Sequence, residues 1–398
     1  MSASILRPAL VLGLLSAVGP FAIDMFLPAM PDIGASLGTS ASVMQGTITS
    51  YFLAFGLAQL IYGPWADQAG RRLPIYVGLL IFMIGSLVCT FAPSATMLIV
   101  GRFIQGLGGA AVMVVPRAII RDLHTGHEAT RLMAAIMLVI SISPFLAPLA
   151  GAGLMYLAGW RAIFAVLAAA ALISLVITRT LLPETLPPSA RQPVSLAAMR
   201  TGMLKLLRHR SFLALTFLGG FGLASFFVFI AQASFVYSQA FGLTPTQFSL
   251  AFALNAVGFF ASSQFAAKLG MRYGAMPVMV RASTGFGLAT LILLGIGISG
   301  HASLPVVMAG LFCANACLGL VIPTAMVMAL EEHGEIAGLA SSLGGTLQML
   351  AGGLMVALSA PFFDGSVLPM LGAIAVCGTM TLLLARVVAS TAPRTAQA

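Results

Sequence analysis

The chain alternates between long apolar runs and short polar segments. A helix that crosses a bilayer needs about 20 mostly apolar residues, and twelve runs of about that length are present. The predicted spans are 9–29, 44–64, 74–93, 95–118, 131–157, 160–181, 211–233, 246–268, 275–298, 302–325, 336–360 and 367–388. Apolar and polar residues do not alternate within them, which excludes a transmembrane β-barrel. The pattern predicts an all-α polytopic membrane protein with twelve transmembrane helices.

The longest polar stretch divides these spans into two sets of six. It covers residues 183–210 and includes the pair Pro187 and Pro188. We expect an N-terminal six-helix bundle over 1–182, a cytoplasmic linker over 183–210 and a C-terminal six-helix bundle over 211–398. We favour a solvated linker, with a juxtamembrane helix on anionic lipid as the alternative.

Two loops form a faint internal repeat. Residues 63–72 after span two read GPWADQAGRR, and residues 267–274 after span eight read AKLGMRYG. Gly70 aligns with Gly274, and Met271 stands where the first copy has Asp67. Two six-helix halves with a degenerate repeat are typical of a parallel-repeat transporter.

The composition agrees with a membrane protein. Hydrophobic residues make up 60% of the chain and charged residues 7%, whereas about 25% of the residues in a soluble domain are charged. So few charges exclude a soluble globular enzyme and a disordered chain. The four cysteines lie in apolar runs without the spacing of a zinc site or disulfide framework, so we expect them only to pack. His124, His127 and Glu128 lack convincing metal-ligand spacing, and we expect no metal.

The basic residues predict the orientation. The net charge is +9, but the basic residues are spread along loops, which favours the lipid bilayer over nucleic acid as partner. With the N-terminus inside, the inside loops and termini hold Arg7, Arg71, Arg72, Arg117, Arg121, Arg131, Arg179, Arg191, Arg200, Lys205, Arg208, Arg210, Lys268, Arg272, Arg386 and Arg394. Arg161 is an outside exception, and residues 331–335 form an acidic inside loop. This asymmetry predicts that both termini are cytoplasmic.

Four motifs, in order along the chain, resemble those of the major facilitator superfamily. Residues 63–72 resemble its loop motif, and residues 102–110, RFIQGLGGA, resemble the span-four motif of its proton-driven exporters. Residues 144–153, PFLAPLAGAG, are similar to its antiporter motif but lack the usual Gly-Pro pair. Residues 22–31, AIDMFLPAMP, narrow the resemblance to the Bcr/CflA group of drug:proton antiporters.

This resemblance implies a proton-coupled multidrug exporter of the bacterial inner membrane that works by alternating access. The group includes exporters of bicyclomycin, phenicols and sulfonamides. The implied partners are small-molecule drugs and protons, the energy source is the proton gradient without a cofactor, and we expect a monomer. An exporter of a metabolite, such as an amino acid or short peptide, is the alternative on the same fold. The chain has no phosphate-binding loop, so we expect neither ATP-driven export nor enzyme activity.

Asp24 is the one acid inside a predicted span. An ionised carboxylate in mid-membrane costs about 2.5–3.5 kcal/mol on insertion scales, so such residues usually face a water-filled cavity and are often functional. A carboxyl group there can take up a proton from one side and release it on the other. We predict that Asp24 couples transport to protons; a purely structural partner for a base is the alternative.

Arg102 on span four lies at a depth similar to that of Asp24, at about 1.5 Å per residue. The two could therefore communicate across one outer-half cavity, although similar depth does not establish direct pairing. Arg102 cannot itself release a proton. Gln105 lies three residues further on the same helix face and can hold the guanidinium. A structural anchor is the alternative for Arg102, and a receptor or scaffold without transport is disfavoured because buried charges are costly.

The loop motif after span two is interpreted as a gate. Gly63 would permit close helix approach, and Asp67 could dock on the positive N-terminus of span eleven near 336–338. The resemblance implies the same contact. Arg71 and Arg72 could pair with Asp67, Asp122 or the acidic loop. The predicted gating and hinge residues are Gly63, Asp67, Gly70, Arg71, Arg72, Arg121, Pro144, Pro148 and Gly151. Gly106, Gly109, Gly151 and Gly153 are expected to allow close helix packing.

Substrate binding is expected on a soft aromatic and polar surface. The chain contains 22 Met and 26 Phe, and such side chains suit several apolar ligands in one cavity. Polar groups avoid lipid, which makes them better candidates than single aromatic residues. The predicted substrate-binding residues are Asp24, Tyr51, Gln59, Arg102, Gln105, Phe229, Gln232 and Asn255.

Overall fold

Twelve long helices account for most of the described chain. The computed structural model describes residues 3–123, 126–191, 195–331 and 333–391. The first six are α1 (Ala3–Asp24), α2 (Ala41–Ala69), α3 (Arg72–Thr90), α4 (Ala95–Leu123), α5 (Gly126–Ala158) and α6 (Arg161–Leu181). The others are α7 (Arg210–Gln239), α8 (Pro245–Tyr273), α9 (Ala275–Ile298), α10 (Leu304–Glu331), α11 (Ala337–Ser359) and α12 (Val367–Thr391). They follow the order of the predicted spans, which confirms the fold class.

Eleven segments of the described residues are long and apolar enough to cross a membrane. The remaining long helix, α2, has 29 residues but is less apolar, because Gln45, Thr47 and Gln59 interrupt its sequence. Gln45 and Thr47 are buried in the structure. The lower hydropathy of α2 therefore reflects packing against other helices rather than a position outside the bundle.

The chain folds as two compact units, Met1–Leu196 and Ala197–Ala398. The boundary lies within the predicted linker, in which residues Leu196–Arg208 form a short helix. In the first unit α1 packs against α4, α5 and α6, while α3 packs against α4 and α6 and α2 against α4. Each pairing recurs in the second unit when six is added to both helix numbers, so that the pair α1 and α4 corresponds to α7 and α10. The repeated pairing extends the faint sequence repeat to the fold of each half.

The two aligned loop glycines have the same backbone role. Gly70 ends α2 with φ +93°, and Gly274 ends α8 with φ +84°. Both angles lie in the region that glycine adopts without a Cβ penalty. The repeated glycine is thus required by the turn that follows the second helix of each half.

Several predicted boundaries differ from the structure. The first span was expected over 9–29, but α1 ends at Asp24 and is followed by a 3-10 turn, Leu27–Ala29, and a short helix, Met30–Ser36. Pro28 and Pro31 explain the break, because proline lacks an amide donor and disfavours helical geometry at the preceding residue. Asp24 therefore lies at a helix end and not five residues inside one.

Helices α4 and α5 are longer than the predicted spans 95–118 and 131–157. Arg117 and Arg121, expected in a loop, lie on α4, because charged residues can continue a helix beyond its apolar part. Arg281, a further basic residue that was not assigned to an inside loop, is exposed on α9. His124 and Arg394 lie outside the described residues.

Candidate functional site

Asp24 is held where α5 crosses the end of α1. Its side chain is 6% exposed, and the Ser143 hydroxyl donates a hydrogen bond to Asp24 Oδ2 at 2.8 Å. A Cβ at Gly151 would collide with the backbone oxygen of Met25, so α5 approaches the chain directly beside Asp24. The small residues of α5 thus allow a buried carboxylate and a hydroxyl donor to meet.

One face of α5 forms this contact. Ser143, Pro144, Ala147, Pro148 and Gly151 are all buried, at spacings that place them on one side of a helix. Pro144 and Pro148 lie inside the helix, where each removes one backbone donor and leaves a carbonyl one turn earlier without its usual partner. This face can bend more easily than regular helix, and the hinge role of the two prolines stays a prediction.

Arg102 is completely buried and contacts the last turns of α1. Its Nη1 donates to the carbonyl oxygen of Ala22 at 3.0 Å and to Gln105 Oε1, the contact predicted from their spacing. The guanidinium lies 4.9 Å from the ring centroid of Phe26 and 4.4 Å from that of Tyr51. A desolvated cation over an aromatic face is stabilised by about 2 kcal/mol. Two rings, a carbonyl and an amide therefore surround the charge.

Asp24 and Arg102 do not form an ion pair in the described structure. The Ala22 carbonyl that binds Arg102 is two residues before Asp24, so the two groups share one neighbourhood. Arg102 Nε and Nη2 are buried and have no hydrogen-bond partner. Leaving a buried donor without a partner is costly. Nε and Nη2 are thus two unsatisfied donors of the guanidinium inside the first unit. The carboxyl group can exchange a proton, whereas the guanidinium stays charged.

Neighbouring helices fix the orientation of this cluster. Gln105 Nε2 donates to Ser86 Oγ at 2.8 Å, and Ser86 donates to the Phe82 carbonyl at 2.8 Å, which ties α4 to α3. Tyr51 donates to the Gly19 carbonyl at 3.3 Å, which ties α2 to α1. The position of Arg102 is therefore determined by three helices besides its own.

Glycines on α4 bring α2 close enough for the Tyr51 contact. A Cβ at Gly106 would collide with the Tyr51 carbonyl, and one at Gly109 would lie 2.8 Å from the Tyr51 hydroxyl oxygen. The packing role expected for these two glycines is confirmed. It is wrong for Gly153, where a Cβ would meet no described atom within 4 Å.

The structure separates the predicted substrate-binding residues into groups. Asp24, Tyr51, Arg102 and Gln105 form the cluster in the first unit, and Gln59 is half-buried about two turns beyond Tyr51 on α2. In the second unit, Phe229 stacks on Phe252 with ring centroids 5.7 Å apart. Gln232 Nε2 donates to Ser359 Oγ at 3.0 Å, and Asn255 donates to the Ala251 carbonyl of its own helix at 3.1 Å. Substrate contact stays a prediction for each.

The loop motif is built around Arg71, whose side chain is 6% exposed. Nη1 donates to Asp67, while Nε and Nη2 bind the two oxygens of Asp122 at 2.7 and 3.0 Å. The bidentate geometry makes the second pair the stronger one. Of the partners considered, Arg71 thus pairs with both aspartates. The gating role, and the contact of Asp67 with the start of α11, stay predictions.

The other motif residues have different environments. Arg72 donates to the Tyr76 hydroxyl at 2.6 Å and the Arg179 carbonyl at 3.2 Å, and Arg121 is exposed. A Cβ at Gly63 would meet no described atom within 4 Å, and the role of Gly63 in the gate stays a prediction.

Three contributors were missed by sequence reasoning: Ser86, Ser143 and Glu184. Glu184 accepts hydrogen bonds from the backbone N–H groups of Arg71 and Arg72 at 2.8 and 3.2 Å. The carboxyl group at the start of a polar linker was the only available signal, and it did not identify a partner.

Comparison with known proteins identifies the family. A family model described as the Major Facilitator Superfamily matches residues 12–356. The chain is 29% identical over 379 residues to the bicyclomycin resistance protein homolog of Haemophilus influenzae, covering 94% of each chain. It is 31% identical over 353 residues to multidrug resistance protein D of Escherichia coli, covering 88% of each. Its fold is similar to that of a D-xylose-proton symporter, with a TM-score of 0.78, 16% identity and 99% of each chain covered. The chain therefore belongs to the Major Facilitator Superfamily and is a multi-pass membrane transporter, not an enzyme.

Proposed function

We propose that this chain is a drug:proton antiporter of the bacterial inner membrane. Its substrates are small amphipathic antibiotics such as chloramphenicol, florfenicol, bicyclomycin or sulfonamides. The names of the two relatives, which refer to bicyclomycin and multidrug resistance, support export of drugs over import of a nutrient. Both termini lie in the cytoplasm, as the distribution of basic residues favours.

The observation that carries the proposal is the environment of Asp24. The carboxylate is buried and bound by a hydroxyl, and it has no ion pair with a described cation. An acid without a permanent counter-charge can be neutralised by a proton, whereas a salt-bridged acid resists protonation. Asp24 is thus suited to exchange its proton during a cycle.

The distribution of acids supports proton chemistry in the first unit. No Asp or Glu occurs between Glu184 and Glu331, so helices α7, α8 and α9 contain no acid. These helices instead carry aromatic rings, among them the stacked pair Phe229 and Phe252. The first unit therefore supplies the proton carrier, and the second supplies an apolar surface suited to several drugs.

The cycle follows from these roles. A periplasmic proton neutralises Asp24 and displaces the drug to the outside by alternating access. The proton then leaves to the cytoplasm, and a new drug binds. The membrane potential contributes about 2.3 kcal/mol per charge per 100 mV when net charge moves.

Resistance profiling in an efflux-deficient bacterial host tests the proposal. Expression should raise the inhibitory concentrations of one or more of chloramphenicol, florfenicol, bicyclomycin and a sulfonamide. An Asp24→Asn variant present at the same level in the membrane should not. No change for any drug, with the protein inserted, would contradict drug export and favour the alternative, a metabolite exporter, which amino-acid or peptide efflux assays would identify.

A further inference from the structure

The first turn of α3 is capped from a distant part of the chain. Its N-cap residue, Arg71, makes no side-chain cap hydrogen bond, although the first N–H groups of a helix have no partner within the helix. Glu184 Oε1 accepts from Arg71 N at 2.8 Å and Oε2 accepts from Arg72 N at 3.2 Å. A carboxylate at this helix end also complements the helix dipole.

Glu184 is itself fixed in place. Oε1 also accepts from the N–H of Leu186 at 3.1 Å, which folds the linker around the carboxylate. A Cβ at Gly70 would lie 2.7 Å from Glu184 Oε2 and 2.8 Å from Arg191 Nη2. Gly70 is thus required for a second reason besides its backbone angle, namely to leave room for the carboxylate.

The neighbouring residue binds the other side of the loop motif. Thr185 Oγ1 donates to Asp122 Oδ2 at 2.9 Å, and the same oxygen accepts from Arg71 Nε at 2.7 Å. Glu184 holds the backbone of Arg71, while Thr185 holds the main partner of its side chain. Two consecutive linker residues therefore determine where Arg71 lies.

We propose that Glu184 is a positioning residue of the cytoplasmic gate, which sets Arg71 so that it bridges Asp67 and Asp122. This rests on the proposed transport function, in which the loop motif closes the cytoplasmic side. Glu184 neither contacts the drug nor carries the coupled proton. Its loss slows the conformational step and leaves drug affinity unchanged.

Hydrogen exchange tests the positioning itself, without any substrate. In full-length protein, Glu184→Ala should make the amides of peptide 67–76 exchange about tenfold faster, the effect of losing a hydrogen bond to a charged group. Glu184→Gln keeps one oxygen that can accept from Arg71 N and should be intermediate. Asp364→Ala is the control, since Asp364 accepts a local backbone N–H from Ser366 at 2.9 Å in the second unit. Unchanged exchange in Glu184→Ala would overturn the proposal.

Transport tests the consequence for the gate. In proteoliposomes, Glu184→Ala should lower the maximal drug transport rate at least about fivefold, with drug binding within about twofold of the unsubstituted protein. A normal rate despite faster exchange would overturn the gate role, and so would a parallel loss of binding. If the unsubstituted protein moves no drug, the proposed function fails, and the exchange result alone decides whether Glu184 positions the loop.

Gly70→Ala gives an independent variant, because it should displace Glu184 without altering the carboxylate. Gly274→Ala is its control, with a similar backbone angle and only Pro277 within 4 Å of the added Cβ. Gly70→Ala should reproduce the fast exchange of peptide 67–76. If both substitutions change the exchange rate of peptide 67–76 equally and only slightly, the steric role of Gly70 is contradicted.

Discussion

The carboxylate of Asp24 is oriented by a hydroxyl group from another helix. Ser143→Ala removes the donor 2.8 Å from Asp24 Oδ2. A hydrogen bond to a charged group contributes about 1.5–3 kcal/mol, and each 1.36 kcal/mol is about tenfold in rate. If half of that interaction is lost in the slow step of the cycle, we expect uphill drug efflux to fall about 4- to 13-fold.

Ser141→Ala provides the matched control for this variant. Ser141 lies on the same helix, but its hydroxyl donates to the Leu138 carbonyl at 2.8 Å on the exposed side. Efflux should be unchanged in this variant. Equal rates for both variants in proteoliposomes would show that Ser143 does not act on Asp24.

Glu184 makes stability depend on pH. Burial raises the pKa of its carboxyl group. The hydrogen bonds from the N–H groups of Arg71, Leu186 and Arg72, together with the charge of Arg191, lower the pKa by more than burial raises it. The pKa therefore lies below its ordinary value of 4.5. The folded state therefore binds the proton less readily than the unfolded state. The stabilisation is present above pH 4.5 and is lost as the pH falls through the folded-state pKa.

Thermal unfolding should reveal this contribution. Near pH 7 the unsubstituted protein should unfold at a higher temperature than Glu184→Gln, and the difference should shrink below pH 4.5. A difference that stays constant down to pH 3 would mean that the charge of Glu184 does not stabilise the fold.

Local spacing explains which residue contacts could be predicted. Arg102 and Gln105 lie three positions apart on one helix, so their contact follows from helix geometry. Ser143 is 119 positions from Asp24, and Glu184 is 113 from Arg71. Such pairs depend on how helices pack in three dimensions, which hydrophobic patterns do not specify.

At the level of helices, Gly151 and Gly153 on α5 provide a matched pair. A Cβ at Gly151 would collide with the Met25 backbone, whereas one at Gly153 would meet no described atom within 4 Å. Overpacking costs about 1–3 kcal/mol, while alanine is favoured over glycine in a helix by up to about 1 kcal/mol. Gly151→Ala should therefore lower thermal stability and efflux, and Gly153→Ala should lower neither.

Size-exclusion chromatography after heating measures this difference in detergent. If Gly151→Ala proves as stable and active as Gly153→Ala, the close approach of α5 to the end of α1 is wrong.

The number, order and type of the helices could be predicted. A segment that crosses the bilayer must pair its backbone polar groups within a helix, and it needs mostly apolar side chains. Helix ends were less predictable. Hydropathy detects only the apolar part, so α4 and α5 were predicted too short, and the break after Asp24 depends on Pro28 and Pro31. The 29-residue α2 has the weakest apolar signal but packs closely against α4.

For the whole molecule, the twelve-span topology makes a direct prediction. Reporter fusions after Pro188 and after Ala398 should report the cytoplasm, and fusions after Gly38 and Gly242 should report the outside, because basic residues concentrate in the opposite set of loops. Cytoplasmic signals from Gly38 and Gly242 would contradict the twelve-span arrangement.

The two units share their helix pairings but differ in chemistry. The sequence repeat predicted two related halves, and the same helix pairs occur in both units. A buried acid and a buried arginine were described only in the first unit, where Asp24 is 6% and Arg102 0% exposed. We propose that Asp24, in the first unit, carries the proton that drives export.

Drug-induced proton release from purified protein tests that claim most directly. In weakly buffered detergent solution with a pH dye, florfenicol should release protons from the unsubstituted protein and from Asp32→Asn, which replaces an exposed acid. Asp24→Asn should bind the drug but release none, because asparagine cannot ionise near neutral pH. Undiminished proton release from Asp24→Asn would contradict the account and place the coupling site elsewhere.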